Sequence, residues 1–192
     1  YPGLNAGGAV SPDGRHIALV LASGNQVDLY VRPVEGGALK RLTRNKAAEA
    51  SPCWSPDGKR ICFVSDETGR PLLYIVNPFT GEKPQLLRGI TGSERVTPSW
   101  SNDDRIAYCG KVGGAYVLKI ARLTGPYQAK EEPIEHEGKP IRGQTPSWGP
   151  DDRHLVIADA GSLYIVDSET GERRRIVSGG ASQPDWSGII QK

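Results

Sequence analysis

The chain has 192 residues, with 24 Lys and Arg against 22 Asp and Glu for a formal charge of +2, so no single-sign field steers it toward nucleic acid or an anionic membrane. Apolar residues make up 37% of the chain, enough for a core, yet no apolar run approaches the roughly 18–20 residues of a membrane-spanning helix. Twenty-four glycines and 15 prolines make it turn-rich, and three cysteines are too few for a disulfide framework or a zinc site.

In chain order, the first unit opens on Val10-Ser11-Pro12-Asp13-Gly14. Proline presets φ for a turn, aspartate caps backbone N–H groups just after it, and glycine accepts the positive φ that closes a hairpin. Short β-branched runs follow at 15–21, 28–31 and 39–42. The second unit opens on Trp54-Ser55-Pro56-Asp57-Gly58, with runs at 60–65, 72–76 and 84–87. The third opens on Trp100-Ser101-Asn102-Asp103-Asp104, with runs at 105–109 and 116–120; its outer part, 130–134, is acidic and ambiguous. The fourth opens on Trp148-Gly149-Pro150-Asp151-Asp152, with runs at 153–158, 162–166 and 173–177. A last copy of the phrase carries Trp186.

One aromatic and one turn per roughly 40–50 residues mark a repeat architecture. With the segment that carries the tryptophan, each unit has four strands, and no window shows a helical stripe. The chain reads as all-β: a β-propeller of four-stranded antiparallel blades at about 6–46, 47–92, 93–141 and 142–180. Each tryptophan falls on an innermost strand facing the neighbouring blade, where burial of roughly 150–250 Å² of aromatic surface anchors one blade to the next. Residues 181–188 read as a closing strand with no blade after it. Either the four units belong to a larger ring cut on its N-terminal side, or they close on themselves with the last strand displaced. An open edge invites self-association.

The sequence holds no Gly-x-Ser-x-Gly, His-Glu-x-x-His, phosphate loop or Cys-x-x-Cys, so it points to no catalytic residue, cofactor or metal. His16 and His154 share a repeat position just past a hairpin tip and read as solvated. His136 lies in the acidic stretch 131–137, which reads as a solvated excursion rather than a cation site. Arg173, Arg174 and Arg175 fall on an outermost strand, where charge discourages edge pairing. If the second turn pairs Ser55 with Arg60, Cys53 falls opposite Cys62; a bond and two small buried thiols are both open.

The phrase Trp54-Ser55-Pro56-Asp57-Gly58-Lys59-Arg60-Ile61, followed by Leu73-Tyr74-Ile75-Val76, Thr80-Gly81 and Leu86-Leu87, resembles the PD40 (WD40-like) repeat. Over nearly the whole chain the similarity is to the TolB-type C-terminal propellers of the Tol-Pal system. It is carried by the opening Tyr1-Pro2-Gly3-Leu4-Asn5, by Ser65-Asp66-Glu67-Thr68-Gly69-Arg70-Pro71 with Tyr74, and by the stop soon after Pro184-Asp185-Trp186-Ser187. This resemblance implies a six-bladed ring behind an N-terminal α/β domain, a periplasmic location and a non-enzymatic binding role in the cell envelope. It also implies a protein partner, a Pal-type peptidoglycan-associated lipoprotein, docked at one mouth of the central channel. The mouth is expected at the loops leading into the innermost strands: Leu4, Asn5 and Gly7; Glu49, Ala50 and Ser51; Arg95, Val96 and Thr97; Gly143, Gln144 and Thr145. The family's Pal-contacting positions align at Leu4, Gly7, Ala50 and Ser51, where this chain lacks the histidine, threonine and glutamate types expected.

Two other functions compete with this one. Similar blades gate the active site of prolyl-oligopeptidase-type serine peptidases, which would place a hydrolase domain after the chain. A carbohydrate- or small-molecule-binding propeller would need aromatics or carboxylates at the mouth, where Gly, Ala, Ser and Thr prevail.

Overall fold

The structure, a computed structural model, describes residues 5–184; Leu4 and Trp186 lie outside them. The first sheet is a meander of β1 (Asn5–Val10), β2 (His16–Ser23), β3 (Gln26–Pro33) and β4 (Lys40–Arg41). The second runs β5 (Glu49–Trp54), β6 (Ile61–Ser65), β7 (Leu72–Val76) and β8 (Gln85–Leu86). The third runs β9 (Arg95–Trp100), β10 (Arg105–Val112), β11 (Ala115–Gly125) and β12 (Gln128–Glu132). After a hairpin of β13 (Glu135–His136) and β14 (Lys139–Pro140), the fourth runs β15 (Gln144–Trp148), β16 (His154–Asp159), β17 (Ser162–Asp167) and β18 (Arg173–Val177). Every pairing in these sheets is antiparallel, and no helix occurs among the described residues.

The turn chemistry follows the sequence. The hydroxyls of Ser11, Ser55 and Ser101 donate to Asp13, Asp57 and Asp103 at 2.5, 2.6 and 2.6 Å. Gly14 and Gly58 take φ of 72° and 67°, and Asp104 and Asp152 hold the same place at 63° and 54°. In the fourth turn Gly149 replaces the serine, which frees Asp151 for His154. The backbone N–H and ring Nδ1 of His154 lie 3.0 and 2.6 Å from the Asp151 carboxylate and bring its pKa down to about 2.

Strands β6 and β7 are buried on both faces, because the second sheet packs between the first and the third. Three cores result. The first joins Val20 and Leu29 to Trp54 and Phe63; the second joins Val64 and Leu73 to Ile106 and Tyr108. The third joins Ala107 and Ile120 to Trp148 and Leu155. Among the described residues no such cluster joins the fourth sheet to the first. The first strands β1, β5, β9 and β15 neighbour one another in series, which makes them the inner lining of the arc.

Trp54 and Trp148 are buried, and each indole N–H donates to the preceding sheet's first strand, at Ala9 O (2.8 Å) and Ser99 O (3.1 Å). Each indole is also covered from that preceding sheet. Arg60 lies 4.9 Å from the Trp100 centroid and Arg105 4.7 Å from that of Trp148, while the His16 ring sits 6.4 Å from Trp54. Trp100 departs in two respects: it is half-buried, and its N–H returns to Asp104 of its own turn at 3.2 Å. An aspartate stands there in place of the glycine of earlier turns and supplies the acceptor.

Several expectations need correction. His16 is half-buried between Trp54 and Phe79 rather than solvated. The first two outer strands shrink to two residues each, and the third begins at Gln128 rather than 130. The acidic stretch is anchored at one end and exposed at the other: Pro133, Glu135 and Glu137 are exposed, but Glu131 is not. Glu131 accepts from Tyr108, Thr91 and Lys119, and the next residues fold as the β13–β14 hairpin. The cause lies beneath it, where the buried Tyr108 hydroxyl needs an acceptor.

Candidate functional site

The first strand of every sheet breaks at one repeat position. Pairing shifts between Asn5 and Gly8, Ala50 and Cys53, Val96 and Ser99, and Gln144 and Ser147. The cause in the last three is proline: Pro52, Pro98 and Pro146 have no N–H to donate to the ladder, so pairing is interrupted by a bulge. The residue before each proline swings into the left-handed region, with φ of 48° at Ser51, 50° at Thr97 and 50° at Thr145. Gly7 holds the equivalent place at 84°, and Gln183, before Pro184, reaches 53°. For β-branched threonine this conformation is unfavourable, at roughly 1–3 kcal/mol per residue. Glu49–Ser51 and Arg95–Thr97, expected in loops, therefore lie inside β5 and β9, because the ladder resumes beyond the bulge, as at Glu49 opposite Ser65.

Unpartnered polar groups collect on this tier. Glu49 is 2% exposed, and neither of its carboxylate oxygens has a partner in hydrogen-bond geometry. Burial pushes its pKa up to about 7; the nearby Ser65 hydroxyl opposes this, while Asp28, Glu67 and Asp66 add to it. Arg95 Nε, Thr97 Oγ1 and Thr145 Oγ1 are likewise buried without such a partner. Buried polar atoms are otherwise almost always satisfied, so four residues of one tier sharing this condition form a coherent feature.

The expected mouth residues divide. Ala50 and Val96 pack against the second core, while Glu49, Arg95, Thr97 and Thr145 present the orphaned groups. Gly143 sits where a Cβ would fall 2.8 Å from Ile157 Cδ1, so a larger residue there would require the isoleucine side chain to shift. Gln144 and Thr145 line a cleft of about 500 Å³ with Tyr116, Arg142, Asp159 and Gln183. Those last four, and Ser65, escaped the reading of the sequence. Ser65, Tyr116 and Asp159 lie at hairpin ends, Arg142 just before β15 and Gln183 after β18, and only the Gln183-Pro184 dipeptide carried a signal, the same as Thr145-Pro146. Among the described residues no group of three or more His, Cys, Asp or Glu is placed to hold a metal ion, and no helix is long and apolar enough to cross a membrane.

Repeated four-stranded sheets meeting along their first strands, with orphaned polar groups at a common tier, define a propeller-type module. The PD40 model, described as TolB beta propeller domain, matches residues 1–190, and the chain belongs to this family. The Tol-Pal system protein TolB of Francisella tularensis is 40% identical over 79 residues, covering 40% of this chain and 18% of that protein. A TolB homolog of Chlorobium luteolum is 27% identical over 117 residues, covering 61% of this chain and 26% of that protein. Among solved structures, TolB from Acinetobacter baumannii aligns with a TM-score of 0.77 and 23% identity over 97% of this chain and 47% of its own. A puromycin-hydrolyzing peptidase of Mycobacterium tuberculosis aligns with a TM-score of 0.67 and 22% identity over 95% of this chain and 30% of its own. At these identities the structural likenesses show the fold alone. The chain spans less than half the length of each of these proteins.

Proposed function

We propose that the chain is the propeller region of a non-enzymatic, periplasmic Tol-Pal scaffold that docks a Pal-type peptidoglycan-associated lipoprotein at the channel mouth. The observation that carries this reading is the tier of orphaned groups at Glu49, Arg95, Thr97 and Thr145. A partner segment entering the mouth would give Glu49 a donor, Arg95 an acceptor and the two threonines their missing partners. Gly7, Ser51 and Gln144 would form the rim, with Leu4 and Asn5 at its N-terminal side. Residues 1–192 are then one propeller region with blades at 6–46, 47–92, 93–141 and 142–180 and a closing strand at 181–188, within a six-bladed parent ring.

Calorimetric titration with a soluble Pal-type domain tests it. Binding at tens of micromolar or tighter is expected, weakened about tenfold, or about 1.4 kcal/mol, by Arg95→Gln. No binding by the intact parent protein would remove this partner.

The fold shared with the puromycin-hydrolyzing peptidase favours a second reading, a propeller that gates substrate peptides. A Gly-x-Ser-x-Gly segment downstream in the parent gene would establish it and displace the first. A carbohydrate-binding propeller ranks behind both.

A further inference from the structure

We propose that Cys53 and Cys62 are a redox modification site that forms a reversible disulfide within the second sheet, with small or protein-borne disulfides as the oxidant. This goes beyond the docking role and does not depend on it. Both thiols are free in the structure.

The pairing follows from the register. Ser55 N donates to Arg60 O at 2.8 Å and closes the hairpin, and two residues further along β5 and β6 Cys53 and Cys62 are direct partners. In an antiparallel ladder a pair two positions from a hydrogen-bonded pair is again hydrogen-bonded, with Cα atoms about 5.5 Å apart, inside the ~4.4–6.8 Å range that a disulfide spans. Both side chains belong to the core between the second and third sheets. The third cysteine does not compete. Cys109 shares the face of β10 that carries Ala107 of the third core, and its thiol donates to Gly143 O at 3.4 Å.

Exposure sets the order of events. Cys53 is half-buried and Cys62 fully buried. The Cys53 thiolate attacks one sulfur of oxidised glutathione, forming a mixed disulfide and expelling one glutathione thiolate. Cys62 then loses its proton and attacks Cys53 Sγ, expelling the second glutathione. Two protein thiols and one glutathione disulfide become one protein disulfide and two glutathione thiols. Burial holds the Cys62 thiol well above its usual pKa, so the second step is slow near neutral pH and faster in alkali. The bond ties β5 to β6 directly below the bulge at Ser51.

The test uses the full chain, incubated with oxidised glutathione at alkaline pH, alkylated in denaturant and digested with trypsin. Cleavage after Lys59 and Arg60 separates the two cysteines into peptides 47–59 and 61–88. The expected result is these peptides joined through Cys53 and Cys62, an intact mass lower by about 2 Da, and separation on reduction. Cys109→Ser should give the same cross-link and Cys53→Ser none. Alkylation of both Cys53 and Cys62 after oxidation, a glutathione adduct that never resolves, or a bridge through Cys109 would overturn the proposal.

Discussion

The Arg105 guanidinium of the third sheet lies 4.7 Å from the centroid of the Trp148 indole in the fourth. Arg105 also donates from Nε to Asp103 at 2.9 Å, from one terminal nitrogen to Ser168 Oγ at 3.2 Å, and from the other to Asp152 O. One planar cation thus joins a turn, a stacked indole and two segments of the next sheet. Arg60 over Trp100 and His16 beside Trp54 repeat the relationship between earlier sheets.

Arg105→Ala should destabilise the chain by about 2–3 kcal/mol, since it removes the donor to the buried Ser168 hydroxyl and uncovers the indole, while its carboxylate partner Asp103 stays solvated. Arg105→Lys should recover less than half of that, because an ammonium cannot reproduce the fork. Arg60→Ala should cost about 1 kcal/mol or less, its ion pair to Asp104 being long and exposed, at 3.7 Å. Urea unfolding midpoints check the order; equal costs at the two arginines would contradict it.

The tryptophans should rank by burial. Trp54→Ala and Trp148→Ala are each expected to cost about 3–5 kcal/mol. Trp100→Ala should cost distinctly less, because its indole is half-buried and its N–H serves its own turn. Chemical denaturation of the three variants decides it.

Glu49 makes stability depend on pH with a defined sign. The folded chain holds this proton to about pH 7, whereas an unfolded glutamate releases it near 4.5. Between these values the folded state binds more protons, so stability falls as pH rises and stays reduced above the window. The groups around it are Ser65, Asp66 and Glu67 from β6 and its turn and Asp28 from β3. Thermal melts of the wild type and Glu49→Gln at pH 4.5, 6 and 8 should converge at the low end and separate by on the order of 1–3 kcal/mol in favour of the variant at the high end. Parallel curves would show that Glu49 is solvated.

Two glycines with similar φ should respond differently to alanine. Gly113, at 56°, has no neighbour within 4 Å, and its cost should be the conformational one, about 1 kcal/mol. At Gly171, at 71°, a Cβ would lie 1.7 Å from Glu135 O, so the β13–β14 hairpin must move. Gly171→Ala should cost several times more and increase proteolysis of the hairpin; similar melting temperatures for the two variants would refute this.

Much of the fold was legible because its signals are local. The Ser-Pro-Asp-Gly turn acts through the next few residues, and the hairpin it sets places Cys53 opposite Cys62 by counting alone. The short outer strands and the fate of Glu131 were less legible, since each depends on a partner distant in sequence, as Glu131 does on Tyr108. At the candidate site the residue types were visible, but their orphaned state was not.

The sequence by itself determined the all-β repeat, the four turns and the positions of the tryptophans, because turn geometry and β-propensity are encoded within a few residues. Only the tertiary structure decided which indole is sealed, which aspartate takes a second role, and that Glu49, Arg95, Thr97 and Thr145 share one tier of buried, unsatisfied groups. Burial is set by the neighbouring sheet, and that neighbour lies a whole repeat away along the chain.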